Sequence, residues 1–155
     1  MNWGAQVSEF IQLADQFGVR MIMVGGGAVN FHGYQRHSAD VDFWIDTSPE
    51  NLQKLVEVFG RMGFDVESFP EEILNRNQNI SVKFSPADLN LELITRFEIG
   101  KSFEEAILES EVVQFGETKS YKWNVLNKHD LIESKRRAGR PKDLLDIEEL
   151  RRLER

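Results

Sequence analysis

Trp3, Val7, Phe10, Ile11, Ala14 and Phe17 recur three, four or one residue apart, which predicts an amphipathic helix that Gly18 is placed to stop. Arg20 to Val24 is a short apolar run of strand length. Gly25-Gly26-Gly27 turns the chain, and Ala28 to His32 reads as a short helix closed by Gly33. From Asp40 to Ile45 the pattern alternates, with Val41, Phe43 and Ile45 between Asp40, Asp42 and Trp44, so a strand is expected there. Ser48 and Pro49 are an N-cap and first-turn proline for a helix whose buried face is Leu52, Leu55, Val56 and Phe59.

Further strands are expected at Phe64 to Val66, Ile80 to Phe84 and Leu89 to Ile94. Ser102 and Glu105 have the spacing of a capping box for a short helix through Leu108. Val112 to Phe115 and Lys119 to Val125 read as a hairpin around Gly116. Helices over Lys128 to Ala138 and Pro141 to Leu153, broken at Gly139, finish the chain. The expectation is an α/β (α+β) fold: one domain over residues 1–155, a mixed central sheet flanked by helices, and a helical tail from about residue 128.

The chain has 155 residues, 41% of them hydrophobic, enough for a real core. No apolar run approaches a membrane span, and Asn2-Trp3-Gly4 leads straight into the first helix without a signal-peptide pattern, so a cytoplasmic protein is expected. The absence of cysteine excludes disulfides, thiolate zinc sites and a cysteine nucleophile. His32, His37 and His129 lack ligand spacing and read as surface or capping residues.

The net charge of −7 argues against nonspecific binding of duplex DNA. The charge is uneven: residues 128–155 carry nine Lys and Arg against seven Asp and Glu, while the rest carries ten against nineteen. That distribution suits a metal-dependent site taking a compact polyphosphate, and equally suits a solvated helix face.

The candidate chemistry follows from three places. Alternate residues of a strand share a face, about 6 to 7 Å apart, so Asp40 and Asp42 project together. Their mutual repulsion is relieved by a divalent cation, and Mg²⁺ prefers such oxygen ligands. The glycines after the first strand let backbone come close to a ligand, and amides opening a helix favour phosphate. No Lys-Ser or Lys-Thr follows them, which argues against a P-loop. Glu92 alternates with Leu91 and Leu93, with Asp88 as a rival third carboxylate. Joined to Asp40 and Asp42, Glu92 would complete a site for two metal ions and serve as general base to a hydroxyl.

Val24-Gly25-Gly26 followed by Asp40-Val41-Asp42-Phe43 resembles the signature of the nucleotidyltransferase superfamily related to DNA polymerase beta. Ala28, Gly33, Arg36, Ser38 and Asp40 match the spacing of small bacterial members of abortive-infection or antitoxin type. Lys135-Arg136-Arg137-Ala138-Gly139-Arg140-Pro141-Lys142-Asp143-Leu144-Leu145-Asp146 is similar to their C-terminal motif. The resemblance implies that Asp40, Asp42 and Glu92 bind Mg²⁺ and that Gly25 and Gly26 contact the triphosphate. It places Ser38 and Lys135 at the nucleotide, with Asp143 orienting Lys135 or holding the tail helices; Arg36 suits a phosphate contact and equally an ion pair with an acidic neighbour. The family usually has aspartate where this chain has Glu92.

The activity implied is transfer of a nucleoside monophosphate from a nucleoside triphosphate, ATP among them, to a hydroxyl of a small molecule, a protein or an RNA end, with release of pyrophosphate. The second expectation is a binding module of the same fold, an antitoxin-like partner of a toxin protein, with Trp44 or Phe69 as contact residues. An aspartyl-phosphate phosphatase built on Asp40 leaves the upstream glycines without a role and lacks the usual Thr after the second Asp.

Overall fold

The computed structural model describes residues 3–35, 37–84, 88–118 and 120–153. Thirteen elements follow one another: α1 (Ala5–Phe17), β1 (Met21–Val24), α2 (Gly25–Phe31), β2 (Asp40–Ile45), α3 (Pro49–Arg61), α4 (Glu71–Leu74), β3 (Ile80–Val82), β4 (Asn90–Ile94), α5 (Phe103–Leu108), β5 (Glu111–Phe115), β6 (Tyr121–Val125), α6 (Lys128–Ala138) and α7 (Pro141–Arg152). The strands form one mixed sheet in the order β3-β4-β2-β1-β6-β5. β1 runs antiparallel to β2 and parallel to β6, β2 is parallel to β4, and β3 and β5 close the two edges antiparallel to β4 and β6. This is the mixed sheet with flanking helices and helical tail that the alternation predicts.

Strand alternation separates the two faces. Met23, Val41, Phe43, Ile45, Leu91, Leu93 and Val125 are buried on one face. There Phe10 of α1 packs against Phe43 at 6.1 Å and stacks on Phe59 of α3 at 5.7 Å between ring centroids. The other face carries Asp40, Asp42, Asn90 and Glu92, all half-buried. Further along β2, Trp44 is 5.4 Å from Phe97 and 5.3 Å from Phe103 of α5, so that end of the face is covered.

Three local expectations need correction. Phe64 to Val66 is not a strand; Phe64 packs against Phe59 after α3 ends, and the short α4 follows. α2 starts earlier than expected: Gly25 and Gly26 are themselves its first residues, and the bend falls at Gly25, where φ is +62°. Trp44 is core rather than a contact surface, and half-buried Phe69 packs on Phe59. The predicted caps hold elsewhere. Ser48 Oγ accepts from the Asn51 amide at 3.3 Å, and Ser102 and Glu105 form the reciprocal capping box. Among the described residues no helix is long and apolar enough to cross a membrane.

Candidate active site

Sheet register sets the geometry. Val24 pairs with Asp42, Asp42 with Glu92, and Glu92 with Ser81, one row across β1, β2, β4 and β3. Paired residues of neighbouring strands share a face, so Asp42 and Glu92 project from the same side, with Asp40 two residues back along β2. Gly25 follows Val24 directly, which brings the bend to one end of the row.

Gly25 adopts a left-handed φ of +62°. A Cβ there would stand 2.3 Å from Asp42 Oδ2, closer than any real contact. Only glycine lets the backbone take this turn and the carboxylate lie against it. Gly26 and Gly27 are buried within the first turn of α2, and Gly25 is the half-exposed glycine of the three.

Ser38 sits beside the acids. Its hydroxyl donates to the Asp40 carbonyl at 2.9 Å and tethers the chain as it joins β2. Arg36 lies outside the described residues. Asp88 precedes β4 and lies against Gly4, where a Cβ would meet its Oδ1 at 1.7 Å. Glu92, not Asp88, is thus the carboxylate in register with Asp42.

The oxygen donors of Asp40 and Asp42 suit a hard cation. Among the described residues, however, no three His, Cys, Asp or Glu side chains lie close enough to hold a metal ion. The Glu92 carboxylate is engaged on its β3 side: Oε2 accepts from Ser81 Oγ at 2.5 Å. Asp40 and Asp42 fit the ion by donor type; for Glu92 to join them it would have to give up its hydrogen bond to Ser81. Hydrogen bonds to charged groups contribute about 1.5 to 3 kcal/mol, much of it recovered from water at an exposed serine. Ser81→Ala is therefore expected to tighten Mg²⁺ binding a few-fold, read by calorimetric titration, with stability within about 0.5 kcal/mol of wild type. Weaker binding would mean that Ser81 itself helps hold the ion.

Lys135 and Asp143 occupy a different setting. Lys135 Nζ lies 3.5 Å from Asp143 Oδ1 and 3.0 Å from Asp146 Oδ2, and all three residues are buried between α6 and α7. Arg140 adds Nε at 2.6 Å from Asp143 Oδ2, and its backbone amide donates to the same oxygen at 3.2 Å. Burial pushes the Asp143 carboxyl up, but the Arg140 hydrogen bonds and the Lys135 charge outweigh it and leave the group below its ordinary value.

A lowered folded-state value means that the unfolded chain binds the proton more tightly. The stabilisation from Asp143 is present above the ordinary carboxylate range and is lost as pH falls through the depressed value. Urea midpoints measured from pH 6 downward should fall more steeply for wild type than for Asp143→Asn. Parallel curves would show that this carboxylate does not drive the acid limb.

Sequence reasoning missed Ser81 and the part played by Asp146. Ser81 faces Glu92 only through the β3–β4 register. Asp146 is one helical turn from Asp143, a spacing that signals a shared helix face. His32 is less exposed than expected: its side chain is 8% exposed and Nε2 donates to the Leu126 carbonyl at 2.8 Å. It ties α2 to the start of the tail. Comparison of the chain with models of protein families and with curated proteins finds no match.

Proposed function

We propose that this protein is a nucleotidyltransferase that moves a nucleoside monophosphate from a nucleoside triphosphate to a hydroxyl acceptor. The observation that carries the reading is the row from the Gly25 bend through Asp42 to Glu92, which sets a close backbone approach beside two carboxylates. Gly25 and Gly26 would receive the triphosphate through backbone amides. Asp40 and Asp42 would hold Mg²⁺, which neutralises phosphate charge when bound. Glu92, freed from Ser81, would accept the proton of the attacking hydroxyl. The acceptor oxygen bonds to the α-phosphorus, the bond to the bridging oxygen breaks, and pyrophosphate leaves. Ser38 supports the site through Asp40, and Lys135 and Asp143 act by fixing the tail helices. The reading implies a cytoplasmic protein, where nucleotide and Mg²⁺ are both at hand.

A second reading has its own observation. β5 is a sheet edge, and the residues around it include Leu108 at 85%, Val112 at 63% and Phe115 at 56% exposure. Such an edge suits a protein partner, as an antitoxin-like module would need. The test that separates the two is thermal unfolding with Mg²⁺ and each of the four nucleoside triphosphates, followed by incubation with α-labelled nucleotide and candidate acceptors. Enzyme chemistry requires a melting shift and label transferred to an acceptor; no shift with any nucleotide favours the partner module.

A further inference from the structure

Nothing in the sequence of β5 protects its edge. Natural edge strands are blunted by shortness, by Lys or Pro, or by a bulge. β5 reads Glu111-Val112-Val113-Gln114-Phe115, without Lys, Arg or Pro. Its pairing with β6 runs unbroken from Glu111 opposite Val125 to Phe115 opposite Tyr121, so no bulge bends it away. The other edge strand, β3, has three residues against five here. β5 ends the strand order, and no described strand pairs with its outer side. Five residues offer about 16 Å of unpaired backbone.

An aromatic slot adjoins this edge. Val113 stands opposite Trp123, and Phe115 opposite Tyr121. With Trp3 and Ser8 these four residues enclose a hollow of about 110 Å³. Small-molecule sites run from about 300 to 1,000 Å³, so this slot suits a single side chain. Its rings lead inward from exposed Phe115. Centroids are 5.8 Å apart from Phe115 to Tyr121, 5.9 Å from Tyr121 to Trp123 and 5.5 Å from Trp123 to Trp3. The Trp3 indole N–H donates to Ser8 Oγ at 2.8 Å. The Trp123 indole Nε1 is buried and has no acceptor among the described residues. Buried donors are rarely left so, and an occupant carrying an acceptor would satisfy this one.

We propose that β5 accepts an extended segment of a partner protein as a seventh strand, with one apolar side chain of that segment in the slot and Lys or Arg on its flanks. This deepens the partner reading above and is independent of the nucleotidyltransferase chemistry. Main-chain hydrogen bonds supply the affinity of such strand addition, and pockets for alternate side chains supply its specificity.

Charge decides between a foreign strand and a second copy. Glu111 opens β5 with its side chain 51% exposed, and exposed Glu117 follows the strand. Lys101 is engaged by Glu109 and Asp130, and Lys122 lies behind the edge on β6, across from Gln114. Two β5 strands would bring like charges together, between chains that each carry −7. A segment with basic flanks meets these glutamates with opposite charge.

The test is NMR titration of the full ¹⁵N-labelled chain with a ten-residue peptide: threonine alternating with valine and leucine, between paired lysines at each end. Two companions replace the lysines by glutamates or N-methylate every internal amide. The lysine peptide is expected to shift the amides of β5 and the Trp123 indole N–H. The glutamate peptide should bind at least tenfold more weakly, and the N-methylated peptide should not bind. Phe115→Lys, at an exposed position, should weaken the lysine peptide at least tenfold with Tm unchanged. Equal binding of the three peptides, or shifts that avoid β5, would overturn strand addition and assign any partner to another surface. No binding of the lysine peptide overturns it as well, while the partner reading is decided separately by the nucleotide melting test. A peptide-free dimer in sedimentation that Phe115→Lys dissociates would give the edge to a second copy and overturn the foreign strand.

Discussion

On the proposed function, Mg²⁺ and a nucleoside triphosphate are expected to raise the Tm of the wild-type protein, and Asp42→Asn to abolish that rise. A ligand that binds only the folded state at a hundred times its Kd stabilises by about 2.7 kcal/mol. For a chain of this size each kcal/mol moves Tm by about 2 to 4 °C, so the wild-type rise is roughly 5 to 10 °C. Asparagine keeps the shape of Asp42 and removes its charge. The carboxylate lies against Gly25, so its loss takes away negative charge where phosphate and cation would meet. Without ligand the variant should melt close to wild type, or higher if repulsion between Asp40 and Asp42 is relieved. A half-buried acid that merely belonged to a solvated strand face would give a variant with the same nucleotide response as wild type. Persistence of the rise in Asp42→Asn would therefore remove this carboxylate from the site.

The row that carries this expectation was partly readable before any coordinates. The alternation in β2 and β4 is sharp because Val41, Phe43, Leu91 and Leu93 must all be buried, and that requirement fixes the opposite face of Asp40, Asp42 and Glu92. Which strands are neighbours is not a local property. The parallel pairing of β2 with β4 comes from a connection through α3, α4 and β3, and it selects Glu92 over Asp88. The Ser81 hydrogen bond depends on that long-range register as well. The glycines gave the bend but not its place, since a helix opening on glycines carries no cap or polar first turn to mark it. Phe64 to Val66 has the apolar alternation of a strand, yet packing against Phe59 uses it as the wall of a loop. Caps were the most legible features, because Ser48, Ser102 and Glu105 act within one turn of chain.

The tail gives the largest effect on stability. Lys135→Met is expected to lower Tm by roughly 10 °C or more and to leave the nucleotide-induced rise in place. The lysine lies 3.0 Å from Asp146, which is 1% exposed, and it is shared with Asp143, which also has Arg140. Methionine fills the same space with a thioether and takes the ammonium away from the buried Asp143 and Asp146 carboxylates. Breaking a buried pair on one side costs about 3 to 5 kcal/mol, because the remaining charge has lost water and partner together. That is a large share of the roughly 5 to 15 kcal/mol that holds a domain folded. Replacing Lys135, Asp143 and Asp146 together by apolar residues of similar volume should recover part of the loss, since no uncompensated charge then remains among the three. The family resemblance assigns this lysine to the nucleotide, and the two roles separate cleanly in measurement. A contact to phosphate would show as a lost nucleotide response at nearly unchanged Tm, whereas a residue that fixes α6 to α7 shows the reverse.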